Sequence, residues 1–302
     1  MSLDADAIVD RRRLKRRLVV WRLAAIAVAL GLIGLALWRE GTIVPGARIA
    51  ELELTGVLTD DQDRLDAIAA LARDSGVKAL IVRIDSPGGT VVAGENLYRA
   101  LRAVAEQKPV VAVIETMGAS AGYLVALAAD RIIAHETSIT GSIGIVVRST
   151  DITQLLAKLG IAADTIKSAP LKDAPNPFEP ITPAARAATQ SVVDDTYRWF
   201  VGLFAERRKL PPALALQLAD GRIFTGRQAV AANLIDGTGG MDEARGWLQE
   251  TKDIPRSLPI VRVTRIPAFP GLDFLAIARK TLLSETLRVD GLVSLWQPET
   301  LR

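Results

Sequence analysis

The chain has 302 residues, a formal net charge of +3 and a mean hydropathy of +0.24, and 49% of its residues are apolar. It contains no cysteine and a single histidine, His135, so disulfide bonds, thiolate catalysis and metal sites built from several histidines are excluded. The 9 lysines and the carboxylates are the remaining candidates for a catalytic base. We expect no metal ion and no cofactor.

The N-terminal region combines a basic block at residues 11–17 with an apolar stretch, Leu18–Trp38, whose only charged residue is Arg22. A helix of 21 residues would be about 31 Å long, which is enough to cross the hydrocarbon core of a bilayer. We predict a cytoplasmic tail at residues 1–17 and a transmembrane anchor at residues 18–38 in contact with the lipid bilayer, with the rest of the chain outside the cytoplasm. A cleaved signal peptide is the alternative, although no A-x-A site follows the apolar stretch.

Much of the excess positive charge lies in this basic block. The block has no interleaved aromatic residues, and the chain contains no zinc-finger or RNA-binding fingerprint. We therefore expect a membrane partner and no nucleic-acid partner.

A linker at residues 39–48 precedes strand-like apolar runs that recur about every 30 residues. These runs are Ile49–Leu54, Ala79–Ile84 and Val110–Ile114. The two helical patterns between them place Leu65, Ile68 and Leu71 on one face, and Leu97, Leu101 and Val104 on another. Strands that alternate with helices at this spacing favour right-handed crossovers. We therefore predict an α/β fold with a mainly parallel sheet built from repeated strand–helix units.

The stretch Thr116–Tyr123 has the sequence TMGASAGY and lies between the run Val110–Ile114 and an alanine-rich helical run, Leu124–Ala129. A strand that enters a helix through small residues lifts one polar side chain, Ser120, to the carboxyl edge of a sheet, where α/β folds have their active sites. This pattern favours Ser120 as a nucleophile. The alternative is that Ser120 is only the N-cap of the helix.

Two more groups of small residues follow apolar runs. Asp85–Thr90 contains the pair Gly88 and Gly89, and paired glycines allow backbone amides to approach a developing oxyanion. An ordinary strand-to-helix turn is the alternative, and a phosphate-binding loop is disfavoured because its glycine motifs are absent. The group Thr140–Gly144 follows the run Ile132–Ala134 and is expected at the same edge as the candidate nucleophile.

A proline-rich segment, Leu171–Pro180, contains Lys172, and its prolines would restrict the backbone that holds this side chain. His135 ends an apolar run, a position more typical of a structural histidine than of a base. A long amphipathic helix is predicted from Pro183 to about Arg208, with Thr182 as its N-cap.

Three features are predicted beyond this helix. Thr225 and Gln228 form a capping box, and Gly237–Gly240 is a turn. Past Pro255 the pattern weakens, with a helix near Phe274–Leu283 and no function that the pattern indicates.

Five motifs occur in a set order along the chain. They are Asp85-Ser-Pro-Gly-Gly, Met117-Gly-Ala-Ser-Ala-Gly-Tyr, Thr140-Gly-Ser-Ile-Gly, Leu171-Lys-Asp and Asp220-Gly-Arg-Ile-Phe-Thr-Gly-Arg-Gln-Ala. Together they resemble the motifs of bacterial signal peptide peptidase A, short form, a family of the Clp-protease/crotonase superfamily. The resemblance extends over about Ile49–Ala244, and a membrane anchor is also typical of the family.

The resemblance implies roles for the residues at matching positions. Ser120 matches the nucleophile, Lys172 the general base, and Ser142 the hydroxyl that orients the lysine. The matching oxyanion donors are the backbone amides of Gly88 or Gly89 and of Ala121. The resemblance also implies a ring-shaped homo-oligomer in which serine and lysine come from neighbouring protomers.

By the same resemblance, residues 49–255 form an extracytoplasmic Ser/Lys peptidase domain, and residues 256–302 form a C-terminal tail without an assigned role. The implied protein is a single-pass serine endopeptidase of the bacterial inner membrane, with its catalytic domain in the periplasm. Its implied substrates are cleaved signal peptides and other extended apolar peptides, which are cut through an acyl-enzyme.

A lysine can act as the base only if it loses its proton near neutral pH. The ammonium group titrates near 10.4 in water, so its pKa must fall by about 3, equivalent to ~4 kcal/mol, through burial away from carboxylates. We expect the side chain of Asp173 to point away from Lys172, as adjacent side chains do on an extended segment.

Two other functions are compatible with the residues alone. A crotonase-like acyl-thioester enzyme has a similar oxyanion hole of paired amides but no serine nucleophile. A non-catalytic membrane scaffold would retain the serine and the lysine without activity.

Overall fold

The computed structural model describes residues 21–29, residues 46–263 and the backbone of residues 293–295. The chain divides into two units, Met1–Pro45 and Gly46–Arg302. Residues 21–29 of the first unit are helical, whereas the basic block, the rest of the predicted anchor and the predicted helix at Phe274–Leu283 lie outside the described residues. Within the described residues, no helix has both the length and the apolar character that a membrane span requires.

The strands of the second unit are β1 (Arg48–Thr55), β2 (Val77–Ser86), β3 (Gly88–Thr90), β4 (Val110–Ala119), β5 (Arg131–Ala134), β6 (Ile139–Gly141), β7 (Ile223–Thr225), β8 (Gly237–Thr238), β9 (Ile260–Arg262) and β10 (Val293–Leu295). Eight of them form one sheet, in which β7, β6, β4, β2, β1 and β9 are successive neighbours and β5 pairs with β4 and β8. Every pair in this sheet is parallel except β6 with β7, so the prediction of a mainly parallel sheet is confirmed. A separate antiparallel pair joins β3 to β10.

Helices alternate with these strands as the periodicity predicted. They are α1 (Gln62–Arg73), α2 (Val91–Ala105), α3 (Ala121–Ala126), α4 (Thr153–Lys158), α5 (Pro183–Arg208), α6 (Pro212–Leu218), α7 (Gly226–Ala231) and α8 (Met241–Lys252). The predicted N-cap of α5 is confirmed, because Thr182 accepts a hydrogen bond from the backbone of Ala185, and α7 begins with the predicted capping box. The predicted turn at Gly237–Gly240 is partly wrong, because its first two residues pair with β5 as β8.

The sheet separates two apolar clusters, as the alternation of side chains along a strand requires. Ala50, Leu52 and Leu54 of β1 belong to the larger cluster, which also contains α3 and the rings of Phe200 and Phe204. Ile49 of the same strand belongs to the smaller cluster, which includes residues of α8. Helix α3 is therefore buried along its whole length, and the residue that precedes it is held at the edge of the sheet.

The strand before α3 is longer than predicted, and the helix begins earlier. β4 continues to Ala119 instead of ending at Ile114, and α3 begins at Ala121 instead of Leu124. The extension occurs because Met117–Ala119 pair with Ile139–Gly141 of β6. This long-range pairing overrides the weak strand propensity of small residues.

Candidate active site

Three loops that were singled out in the sequence meet at one edge of the sheet. Ser86 at the end of β2 pairs with Gly118 of β4, and Ala119 pairs with Gly141 of β6. The parallel strands thus bring the Pro-Gly-Gly turn, the Ser120 turn and the Ser142 turn together at their carboxyl ends. This is the edge at which α/β folds form their sites.

Ser120 lies in a backbone conformation that L-amino acids rarely adopt, with φ of 56° and ψ of −119°. Its amide donates to the carbonyl oxygen of Gly141 at 2.8 Å, and its own carbonyl oxygen accepts from the amide of Leu124 at 2.9 Å. The side chain makes no capping hydrogen bond to α3, so the N-cap alternative is wrong with respect to its hydroxyl. Strain of this kind, held by surrounding structure, is typical of functional residues and of nucleophile turns between strand and helix.

Ser142 directly follows Gly141, whose carbonyl oxygen binds the Ser120 amide. It too has a positive φ, 51°, and its amide donates to the carbonyl oxygen of Arg222 at 2.8 Å. The side chain is only 9% exposed. Ser120 and Ser142 are thus both buried and both have a positive φ, and the Ser120 amide is bonded to the residue that precedes Ser142.

The Pro-Gly-Gly turn distinguishes between its two glycines as amide donors. The amide of Gly88 donates to the hydroxyl oxygen of Ser86 at 3.1 Å and is already bonded. The carbonyl oxygen of Gly88 and the amide of Thr90 both bond to Leu58, at 2.8 and 3.0 Å. Because bonding directions alternate along an extended strand, the amide of Gly89 points to the opposite side, towards β10. Of the two predicted donors, Gly89 is the one whose amide points away from both Ser86 and Leu58.

Ala121 contributes the second predicted donor. It is the first residue of α3, where backbone amides have no acceptor within the helix. The first turn of α3 also touches the oxyanion turn, because a Cβ added to Gly122 would lie 2.9 Å from the carbonyl oxygen of Ser86. The two sets of predicted amide donors are thus in adjacent turns.

Lys172 is the predicted base, and among residues 46–263 it makes no hydrogen bond to Ser120 or Ser142. Its side chain is exposed, in a turn where its amide donates to the carbonyl oxygen of Ala169 at 3.0 Å. The expectation of an extended segment was wrong, because Asp173 has a φ of 67°. Among residues 46–263, the ammonium group of Lys172 pairs with neither Asp173 nor any other carboxylate.

A group of three charged residues on the central strands lies on the opposite face from α3. Arg83 of β2 donates to Glu115 at 2.7 Å and to Glu51 at 3.2 Å, across three adjacent strands. Burial alone would raise the pKa of Glu115, but the hydrogen bond and charge of Arg83, with those of His135, hold it below its usual value. The ring of His135 lies 3.4 Å from Glu115, and this side chain is 53% exposed.

Sequence reasoning missed three buried hydroxyls that bond to backbone carbonyl oxygens. Thr140 donates to the carbonyl oxygen of Gly118 at 2.7 Å, and Ser138 donates to that of Ile114 at 3.2 Å. Ser86 donates to the carbonyl oxygen of Gly56 at 2.7 Å. Their signal in the sequence is a small polar residue just after an apolar run. In residues 46–263, no group of three or more acidic or histidine side chains is placed to hold a metal ion.

Comparisons with known proteins identify the family. The family model "Peptidase family S49" matches residues 102–255, about half of the chain. A protein of Synechocystis sp. that bears a protease name is 38% identical over 202 residues, which cover 66% of this chain and 73% of that protein. The chloroplastic serine protease SPPA of Arabidopsis thaliana is 30% identical, with 78% of this chain and 36% of that protein covered. Protease 4 of Salmonella typhi is 32% identical, with 66% and 34% covered.

The family model covers the nucleophile turn, Ser142 and Lys172, whereas the glycine pair at residues 88 and 89 precedes the matched range. The chain spans only about a third of the length of the Arabidopsis and Salmonella relatives. It nevertheless covers most of the Synechocystis protein. The chain therefore belongs to peptidase family S49 and is a peptidase of the SppA type.

Proposed function

We propose that the protein is a membrane-anchored serine endopeptidase in which Ser120 is the nucleophile and Lys172 the general base. Its substrates are cleaved signal peptides and other extended apolar peptides. The observation that supports this most is the strained backbone of Ser120, beside a second buried serine and two turns of small residues. An ordinary helix cap has no need of such strain.

Each reaction step is assigned to a named group. The neutral amine of Lys172 takes the proton of the Ser120 hydroxyl as its oxygen attacks the peptide carbonyl, and Ser142 orients the amine by accepting a hydrogen bond from it. The amides of Gly89 and Ala121 bind the oxyanion. Lys172 then gives the proton to the leaving amine, and water releases the acyl group by the reverse sequence.

The exposed position of Lys172 supports an active site completed between subunits of a homo-oligomeric ring. The segment that contains it exposes large apolar side chains, which is unusual for a free surface. They are Val146, Leu155, Leu159, Ile161, Ile166, Leu171 and Phe178. A neighbouring copy that covers this segment would bury both these side chains and the amine, and burial disfavours the charged form of a lysine.

The substrate class is supported by the strand β3. It pairs on one side with Leu58 and on the other with a single short antiparallel strand, β10. An extended peptide bound in the position of β10 would pair along Gly88–Thr90 through its backbone, a common mode of peptide recognition. The membrane location rests on the sequence alone, namely Leu18–Trp38 with its basic flank. We propose the bacterial inner membrane, with the peptidase domain in the periplasm.

Labelling with a fluorophosphonate, followed by mass spectrometry, tests the nucleophile. We expect the label on Ser120, no label in Ser120→Ala, and much slower labelling and peptide cleavage in Lys172→Ala. The control is Lys78→Ala, which removes an exposed lysine outside this segment and should leave both rates unchanged. A peptidase that retains activity in Ser120→Ala would refute the proposal.

Mixing two inactive variants tests whether the dyad forms between subunits. If serine and lysine come from neighbours, co-assembly of Ser120→Ala with Lys172→Ala in equal amounts restores up to about a quarter of the sites. If both come from one chain, no mixed assembly has an intact site and cleavage stays at background. The second result would reject the shared site but not the nucleophile.

A further inference from the structure

Ser86 is a fully buried serine in the turn that precedes the glycine pair. Its hydroxyl group donates to the carbonyl oxygen of Gly56 at 2.7 Å and accepts from the amide of Gly88 at 3.1 Å. No group on the substrate side is involved in either bond. The hydroxyl therefore links the turn after β1 to the turn after β2.

The two turns are also joined through their backbones. The amide of Gly56 donates to the carbonyl oxygen of Asp85 at 3.0 Å, and Leu58 exchanges hydrogen bonds with Gly88 and Thr90. A Cβ on Gly89 would lie 1.9 Å from the carbonyl oxygen of Leu58, so the backbones are as close as glycine permits. The Ser86 hydroxyl adds a side-chain connection between the two turns to these backbone hydrogen bonds.

We propose that Ser86 is a positioning residue for the oxyanion hole. By accepting the Gly88 amide it fixes the peptide plane between Pro87 and Gly88. Its hydroxyl oxygen also lies 3.3 Å from the carbonyl oxygen of Gly88, which belongs to the same peptide plane as the amide of Gly89. Without the hydroxyl, the buried Gly88 amide has no acceptor, and the turn must rotate to satisfy it. The rotation moves the Gly89 amide away from the oxyanion, where placement errors of about 1 Å reduce rates by orders of magnitude.

This inference rests on the proposed function, because it assumes a tetrahedral intermediate on Ser120. A purely structural role would lower the stability of the variant without changing the chemistry of its folded fraction. Ser138 provides the matched comparison. It is also a buried serine at this edge, but its hydroxyl bonds only to carbonyl oxygens of β4 and not to the oxyanion turn.

The test compares Ser86→Ala with Ser138→Ala in the full chain. For each we would measure the fraction of sites labelled by fluorophosphonate, kcat and KM for an apolar peptide, and inhibition by a peptide aldehyde, whose adduct has an oxyanion. For Ser86→Ala we expect kcat per labelled site to fall about tenfold to hundredfold, aldehyde affinity to fall in parallel, and KM to stay near the wild-type value. For Ser138→Ala we expect both kcat and aldehyde affinity per labelled site to be unchanged.

If Ser86→Ala does not fold, Ser86→Cys keeps nearly the same volume and a weaker hydrogen-bonding group, and the same loss of kcat and aldehyde affinity is expected. Wild-type aldehyde affinity in a folded Ser86 variant would overturn the inference, as would an equal loss in Ser138→Ala. Labelling of the wild-type protein distinguishes failure of this inference from failure of the proposed function. The proposed function requires label on Ser120, whether or not Ser86 positions the oxyanion hole.

Discussion

Replacing Ser120 with glycine and with alanine tests whether the strained backbone at this position is real. Both changes remove the hydroxyl, so both abolish peptide cleavage and both lose whatever bonds the hydroxyl makes. They differ only in the Cβ atom, and the Cβ atom is what makes a φ of 56° with a ψ of −119° unfavourable. The difference in stability between the two variants therefore isolates the strain.

The expected difference follows from three opposing effects. Relief of a rare backbone conformation favours glycine by about 2 kcal/mol. The greater freedom of glycine in the unfolded chain opposes this by about 0.75 kcal/mol, and loss of one buried carbon opposes it by about 0.8 kcal/mol. We thus expect Ser120→Gly to be more stable than Ser120→Ala by about 0.5 kcal/mol. With a relaxed backbone, the last two effects alone would make it less stable by about 1.5 kcal/mol.

Urea unfolding of both variants, in a chain that begins at Gly46, measures this difference directly. The two hypotheses differ by about 2 kcal/mol, which exceeds the error of comparing midpoints at a common slope. If the glycine variant were less stable than the alanine variant by about 1 kcal/mol or more, the strand-to-helix turn would be relaxed. The proposed nucleophile geometry would then lose its main support.

Three further predictions concern stability and substrate binding. Arg83→Met removes the cation that Glu51 and Glu115 share, which leaves Glu51 with Arg262 and Glu115 with His135, and we expect it to cost about 2 kcal/mol at pH 7. Since the pKa of Glu115 is lowered in the fold, this contribution is present above its usual value of 4.5 and is lost as the pH falls through the folded value, so urea titrations below about pH 4 should show a smaller difference. Gly89→Ala should cost at least about 3 kcal/mol in the same assay, because its Cβ would overlap a backbone oxygen. Ser294→Pro should lower KM for peptide cleavage, because it removes an amide from β10, which lies where the substrate would pair.

Each of these predictions has a control within the chain. Arg99→Met breaks an ion pair on an arginine that is 72% exposed and should cost less than about 0.5 kcal/mol at either pH. Gly202→Ala adds a Cβ with no atom within 4 Å and should not destabilise the protein. Ser294→Ala keeps the amide and should leave KM unchanged. Equal effects in a variant and its control would contradict the corresponding argument.

Local patterns in the sequence predicted much of the fold. The period of apolar residues gave the three long strands from Arg48 to Ala119 and the helices between them, because each strand and helix buries a single side that repeats at its own spacing. The capping residue Thr182 marked the start of α5 for the same local reason. Placement of Ser120, Ser142 and the glycine pair at one edge followed from parallel strand order, since all three groups come after strands.

Long-range pairing set what the sequence could not predict. The end of β4 depends on β6, and the choice between Gly88 and Gly89 depends on Leu58 and Ser86, which lie 30 and 2 residues from Gly88 along the chain. Neither bond leaves a pattern in composition or periodicity. The segment around Lys172 forms a turn and does not have the predicted extended conformation. Prolines restrict the backbone, but their number does not determine which turn the segment forms.

The distribution of charge across the sheet bears on the proposed base. A lysine acts as a base only where no carboxylate holds its proton, yet the three central strands each contain acidic or basic residues near their carboxyl ends. Glu51, Arg83 and Glu115 all project from the face that packs against α8. Each lies two residues after a member of the smaller apolar cluster on its strand, and side chains two residues apart share a face. On the α3 face, the same strand ends present Leu52, Ile84 and Ile114. At the edge near Ser120, hydroxyls bond to neutral backbone carbonyls. The carboxylate of Asp85 at this edge already accepts a hydrogen bond from the amide of Met117 at 3.1 Å. An amine brought there by a neighbouring subunit would meet hydroxyls and apolar side chains, the surroundings in which it is most easily kept uncharged.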